Sequence, residues 1–170
     1  MKRSIIALGC VLLAGPALAQ SVGEKTGVNS PLGIAPTTAD FVKEVAISDM
    51  FEIESSKLAQ DKGNAAEKSF ASMMVTDHTA ANNELASLAA TKGVQLPPQN
   101  PDLVTDWSKK TDDVDATYVK KMVSDHEEAV KLFEKASKST DADIAAFAQK
   151  TLPTLQHHLA MAQDLKNQIK

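Results

Sequence analysis

The chain has 170 residues, a formal charge of −4 with both signs scattered along it, and only four histidines and one cysteine. That length suits one domain around one core. A mildly acidic chain without a basic patch argues against nucleic acid or anionic lipid as a partner.

The first segment reads "MKRSIIALGCVLLAGPALAQ": basic Lys2 and Arg3, an apolar run from Ile5 to Leu13, a Gly15-Pro16 break, then Ala17-Leu18-Ala19. This is the pattern of a signal peptide over residues 1–19, with the mature chain starting at Gln20 and bound for the periplasm or the exterior. The apolar run is too short for a bilayer core of about 30 Å, and the mature chain holds no transmembrane segment. Cys10 falls in the removed part, because Ala7 stands where a lipoprotein box prefers Leu. The mature chain then has no thiol, which excludes a disulfide scaffold, a CxxC redox pair and a Cys nucleophile. Removing Lys2 and Arg3 leaves 16 basic against 22 acidic residues, a formal charge of −6.

Residues 20–37 are rich in Ser, Gly, Thr and Pro and form a leader without an apolar period. From residue 38 to 170 the pattern is helical. A first helix is expected over about 38–60 with Thr38 as its N-cap. A second opens on the capping box Asn64 and Glu67 and stops at Gly93. The Pro-rich stretch "VQLPPQNPDLV" makes a long connection, with a short helix expected near 103–109. A third helix covers about 112–137, and a fourth starts behind Thr140 and carries Pro153 inside it. "FVKEVAISD" at Phe41 echoes "YVKKMVSDH" at Tyr118, and Phe70-Ala71 echoes Phe147-Ala148 at the same offset. These repeats indicate two helical hairpins. The fold class is all-α, a ferritin-like four-helix bundle with one long crossover.

The phrase "MVTDH", Met74 to His78, returns as "MVSDH", Met122 to His126. Residues three, four and seven apart share a helix face. His78 therefore joins the apolar row of Ala71, Met74, Ala81, Leu85 and Leu88. His126 joins Val119, Met122, Val130 and Phe133, and His158 joins Leu155, Ala162 and Leu165, while His157 points outward. Three helices each send one histidine inward. The first helix offers acid instead: Glu52 follows the small-residue row through Val45 and Ser48, Glu54 follows Ile47 and Phe51, and Asp49 lies one turn from Glu52. Glu52 is preferred because its row leaves room, with Glu54 and Asp49 as second choices.

Buried polar groups need partners. One solution is a single transition-metal ion, zinc, copper or iron, held by Glu52, His78, His126 and His158. The other is a metal-free network of His, Glu and Ser linking the helices in a structural or interaction module. Met74, Met122 and Met161 near the histidines would suit copper or simply fill the core. Asp77 and Asp125 point about 100° away from their histidines, either toward a neighbouring helix or toward surface lysines. Counted from the hairpin turns, Glu52, His126, His78 and His158 lie at roughly 16, 20, 23 and 28 Å, a wide spread for one site. A sensing, buffering or envelope-stress role follows more naturally than turnover, since no Ser-His-Asp order or phosphate loop stands out.

The motifs "FVKEVAISDMFEIESSKLA", "MVTDH", "YVKKMVSDHEEAVKLFEKA" and "LPTLQHHLAMA" together resemble the bacterial domain-of-unknown-function family 4142, whose members are often described as predicted outer membrane proteins. The resemblance covers about residues 39–165 and implies a ferritin-like bundle. It places an acidic site at Glu52, with Glu54 beside it, and histidines at His78, His126 and His158. It implies no established activity, and the sequence shows no alternating barrel strands. No Glu stands three residues before an inward histidine, so the di-iron pattern of ferritin-like proteins is missing.

Overall fold

The computed structural model describes residues 36–100, 104 and 114–169. The expected signal peptide, nearly all of the expected leader and the short helix expected near 103–109 lie outside the described residues, apart from Val104, which is buried. Four helices make up the described fold: α1 (Thr38–Lys62), α2 (Ala65–Lys92), α3 (Val114–Ala136) and α4 (Ala142–Gln168). Among the described residues no strand occurs, and no helix is long and apolar enough to cross a membrane.

Local chemistry sets the helix ends. Asn64 accepts from the backbone of Ala66 and Glu67, while the Glu67 carboxylate reaches back 2.9 Å to the Asn64 N–H, which is the expected capping box. Gly93 ends α2 at φ 64°, in the left-handed region that glycine enters without penalty. Two caps differ from expectation by one residue. Thr37, not Thr38, caps α1 by accepting from the Asp40 N–H, and Asp141, not Thr140, caps α4. The displaced Thr38 is used elsewhere: its hydroxyl donates to Asp141 at 3.0 Å, and Lys92 bonds the same carboxylate at 2.6 Å. The starts of α1 and α4 are thus tied to the end of α2. α4 runs unbroken through Pro153.

The two hairpins, α1–α2 and α3–α4, lie head to tail. At one end Phe41 and Val42 from the start of α1 and Ala89 from the end of α2 pack with Phe133 from the end of α3 and Ile144 and Phe147 from the start of α4. At the other end Ala59, Phe70 and Ala71 beside the Gly63 turn pack with Tyr118, Val119 and Ala162. The turns therefore sit at opposite ends, so α2 finishes at one end of the bundle and α3 begins at the other. This is the two-hairpin, single-crossover arrangement of ferritin-like folds. Repeat mates fall in opposite cores: Phe41 and Phe147 in the first, Tyr118 and Phe70 in the second.

Phe41 anchors the first core. It is fully buried, with ring centroids 5.2 Å from Phe133 and 6.2 Å from Phe147, both edge-on. Phe41→Ala is expected to cost about 3–5 kcal/mol in urea unfolding, since it removes the ring and leaves a hole that helices cannot close.

Candidate metal centre

Between the two cores lies a layer of buried polar groups: Asp49, Glu52, His78, His126 and His158 are each 4% exposed or less. The three imidazoles form a triangle, with ring centroids 5.6 Å apart for His78–His126, 5.3 Å for His78–His158 and 5.4 Å for His126–His158.

The spread of levels along the helices disappears for two physical reasons. The turns lie at opposite ends, so heights counted from them run in opposite directions. On helices about 35–42 Å long, His126 and His158 then stand roughly 20 and 12 Å above the first turn, beside Glu52 at roughly 16 and His78 at roughly 23 Å. Side chains also lean toward the N-terminus of their own helix. Glu52 and His158, from the lower levels, lean up, and His78 and His126, from the upper levels, lean down. The four tips meet in one layer.

Each histidine uses one ring nitrogen for an acceptor behind it. His78 Nδ1 lies 2.8 Å from Asp49 Oδ1, His126 Nδ1 lies 2.9 Å from the Met122 carbonyl, and His158 Nε2 lies 2.9 Å from Asp77 Oδ2. Those acceptors take the N–H of one ring nitrogen and turn the other inward, which fixes the tautomer of His126 and His158, whereas the inward Nε2 of His78 carries a proton as well, toward Glu52. The inward atoms, His78 Nε2, His126 Nε2, His158 Nδ1 and Glu52 Oε1, are buried and have no hydrogen-bond partner. His78 Nε2 does approach Glu52 Oε2 to 2.9 Å, a charge contact without hydrogen-bond alignment. Ligand atoms of the three histidines lie within 4.8 Å of one another, as do those of Asp49, Glu52 and His78, so these buried groups could hold a metal ion. The first group offers three imidazole nitrogens and the second two carboxylates and an imidazole, the two sharing His78, and both donor types suit a borderline transition metal.

The electrostatics are uneven. Burial opposes charge on His78, but the Glu52 carboxylate and the bond to Asp49 outweigh it and raise His78 to about 10. Burial would likewise raise Glu52, yet His78, followed by His126 and His158, brings it down to about 2. Burial lowers His126. It also lowers His158, to about 4, with Asp77 opposing and the other two imidazoles assisting. Burial raises Asp49 against the pull of His78. Metal-free protein is therefore expected to lose stability as pH falls from about 6.5 to about 4. Over that window the unfolded chain takes up protons that folded His126 and His158 refuse, so the unfolded state gains. His78, charged in the fold throughout, opposes the loss only near pH 6.5, where the unfolded imidazole is still half neutral. Glu52, ionised in the fold, adds to the loss toward pH 4 as the unfolded carboxyl takes up its proton. Asp49, raised in the fold, opposes the loss toward the acid end. Melting temperatures in chelator at the two ends of the window measure it.

The structure separates the acidic alternatives. Glu54 is turned out of the layer, with its carboxylate 2.7 Å from Lys57 on the same helix and a side chain 36% exposed. Its second-choice place as a ligand is corrected on that ground: the row through Ile47 and Phe51 runs toward the surface, and Ile47 is itself 47% exposed. Asp49 is buried but stands behind His78 as its acceptor. His157 is exposed, as its row requires. The twin phrases diverge after folding. Asp77 holds His158 of the facing helix, whereas Asp125 pairs with Lys121, the surface pairing that the sequence also allows. The role of Asp77 was signalled only by its 100° offset from His78, which aims it at a neighbour.

No curated protein and no solved structure matches the chain. A family model does, over residues 23–165, which include every residue of this layer, and on that match the chain belongs to the family described as Domain of unknown function (DUF4142).

Proposed function

We propose that the mature protein, from Gln20 onward, is a periplasmic bundle that holds one transition-metal ion, zinc, copper or iron, through Glu52, His78, His126 and His158, in a sensing, buffering or envelope-stress role. The observation that carries this reading is the group of buried atoms without hydrogen-bond partners around His78, namely His126 Nε2, His158 Nδ1 and Glu52 Oε1, with Asp49 Oδ2 beside them, each histidine being held from behind by an acceptor. Leaving such atoms unpaired costs about 1–3 kcal/mol each, a cost that a shared cation removes. Asp49, Asp77 and the Met122 carbonyl would then orient the ligands.

The test is elemental analysis of mature protein purified without a histidine tag, beside a Glu52→Ala/His126→Ala variant. Near-stoichiometric metal in the first and none in the second is expected. Metal-free protein that gains no melting temperature from zinc, copper or iron overturns the reading. Export is supported by the basic, apolar and A-x-A order of residues 1–19. It is checked by the mass of the chain in the periplasmic fraction, and a chain that keeps those residues overturns it.

A second reading rests on the His78–Glu52 contact of 2.9 Å: a metal-free polar network in a structural or interaction module. It expects His126→Ala to destabilise the protein equally with and without added metal.

A further inference from the structure

A cavity of about 540 Å³ opens from the histidine layer toward the surface, and Glu52, His78 and His158 form part of its wall. His126 is absent from that wall. Resting on the metal reading above, we propose that the ion's coordination shell is open toward this cavity, and that the cavity receives a small molecule with an apolar body and an uncharged nitrogen or oxygen head group that binds the ion.

Three observations carry the proposal. First, two of the unpartnered inward atoms, Glu52 Oε1 and His158 Nδ1, belong to residues that are 1% exposed and line the cavity. Four protein donors would close a tetrahedral shell, so the open position belongs to an ion held by the three histidines alone, or to one that takes a fifth ligand beside Glu52. Second, the remaining wall is largely apolar, with Val45, Leu132, Phe133 and Leu155 on three different helices and a few hydroxyls, Ser48, Thr151 and Thr154. A space of this size and lining is typical of small-molecule sites. Third, the rim is acidic. Burial raises the carboxyl of Glu44, and the charges of Asp40 and then Glu128 add to it. The two lysines on the rim are each committed to an acid, Lys150 to Glu84 at 2.7 Å and Lys121 to Asp125. With Asp49 and Asp77 behind the histidines as well, an anionic head group meets repulsion at the rim that offsets part of its attraction to the ion, whereas a neutral one meets none.

Cobalt(II)-loaded protein supplies the test, through its visible absorption at about pH 7.5, where an ordinary imidazole is neutral. The probes are 4-phenylimidazole, a neutral donor on an apolar body, and benzoate, an anion of similar bulk. The expected result is a saturable shift of the cobalt bands with 4-phenylimidazole at a concentration at least about tenfold below that needed for benzoate, a difference worth about 1.4 kcal/mol. Glu44→Gln/Glu128→Gln should narrow that gap. Ala81→Leu fills the cavity and should abolish the shift while cobalt stoichiometry stays at the wild-type level. Thr151→Leu, on another helix, serves the same purpose if Ala81→Leu fails to fold. Cobalt bands that ignore both probes, or respond equally in the filled variants, overturn the cavity proposal and leave the metal reading standing. Failure of cobalt to bind at all overturns the metal reading and this proposal with it.

Discussion

Glu52→Ala in metal-free protein should lower stability by about 3–5 kcal/mol, the usual cost of removing one partner from a buried ion pair. Glu52 is 1% exposed and holds its negative charge beside His78, whose own charge depends on it. Removing the carboxylate leaves the imidazole with Asp49 as its remaining acid, and three imidazoles then face an emptied space. Glu54→Ala, only two residues along, should change stability by no more than about 0.5 kcal/mol, because that carboxylate stands in solvent beside Lys57. The two variants share one helix and one chemistry, so the contrast isolates position in the layer. Urea unfolding with chelator present reads both. A loss below about 1 kcal/mol for Glu52→Ala would mean that the His78–Glu52 pair is not charged in the apo fold. The same substitution removes the only carboxylate among the four inward donors and should abolish metal retention.

The second large effect is proton coupling. A metal ion and a proton compete for His78 Nε2, and the proton is held up to about pH 10 because Glu52 and Asp49 stabilise it. His126 is lowered and His158 is brought down to about 4, so both present free lone pairs at neutral pH, and Glu52 is ionised down to about 2. Metal binding at neutral pH should therefore release about one proton per ion, and affinity should fall about tenfold per pH unit on acidification. From pH 7 to pH 5 that is about a hundredfold. Three unperturbed imidazoles would behave differently, showing almost no slope at neutral pH and a slope of three below about 6.5. Toward the acid end the raised carboxyl of Asp49 adds to the proton count. Calorimetry in buffers of different ionisation enthalpy gives the proton number directly. Release of none at pH 7 would show that His78 is neutral before the metal arrives.

Helix existence and facing were legible because they are local. The capping box at Asn64, the stop at Gly93 and the spacing that aims His78, His126 and His158 inward depend on neighbours within one or two turns. The one-residue slips at Thr37 and Asp141 have a long-range cause, since Thr38 and Lys92 both bind Asp141 across the bundle end. The duplication at Phe41 and Tyr118 was also readable, although its meaning in space was not: repeat mates sit in opposite cores because the hairpins pack head to tail.

The sequence by itself determined the four helices, the inward histidines and the acidic first helix, because side-chain direction follows from helical period alone. Only the tertiary structure decided three things. It turned separate heights into one layer, through hairpin orientation and the lean of side chains toward their own N-termini. It gave Asp77 and Asp125 different tasks within the same phrase, because only Asp77 faces an imidazole on the next helix. It left a cavity beside Glu52, His78 and His158, because empty space belongs to no single helix and appears only where four of them fail to meet.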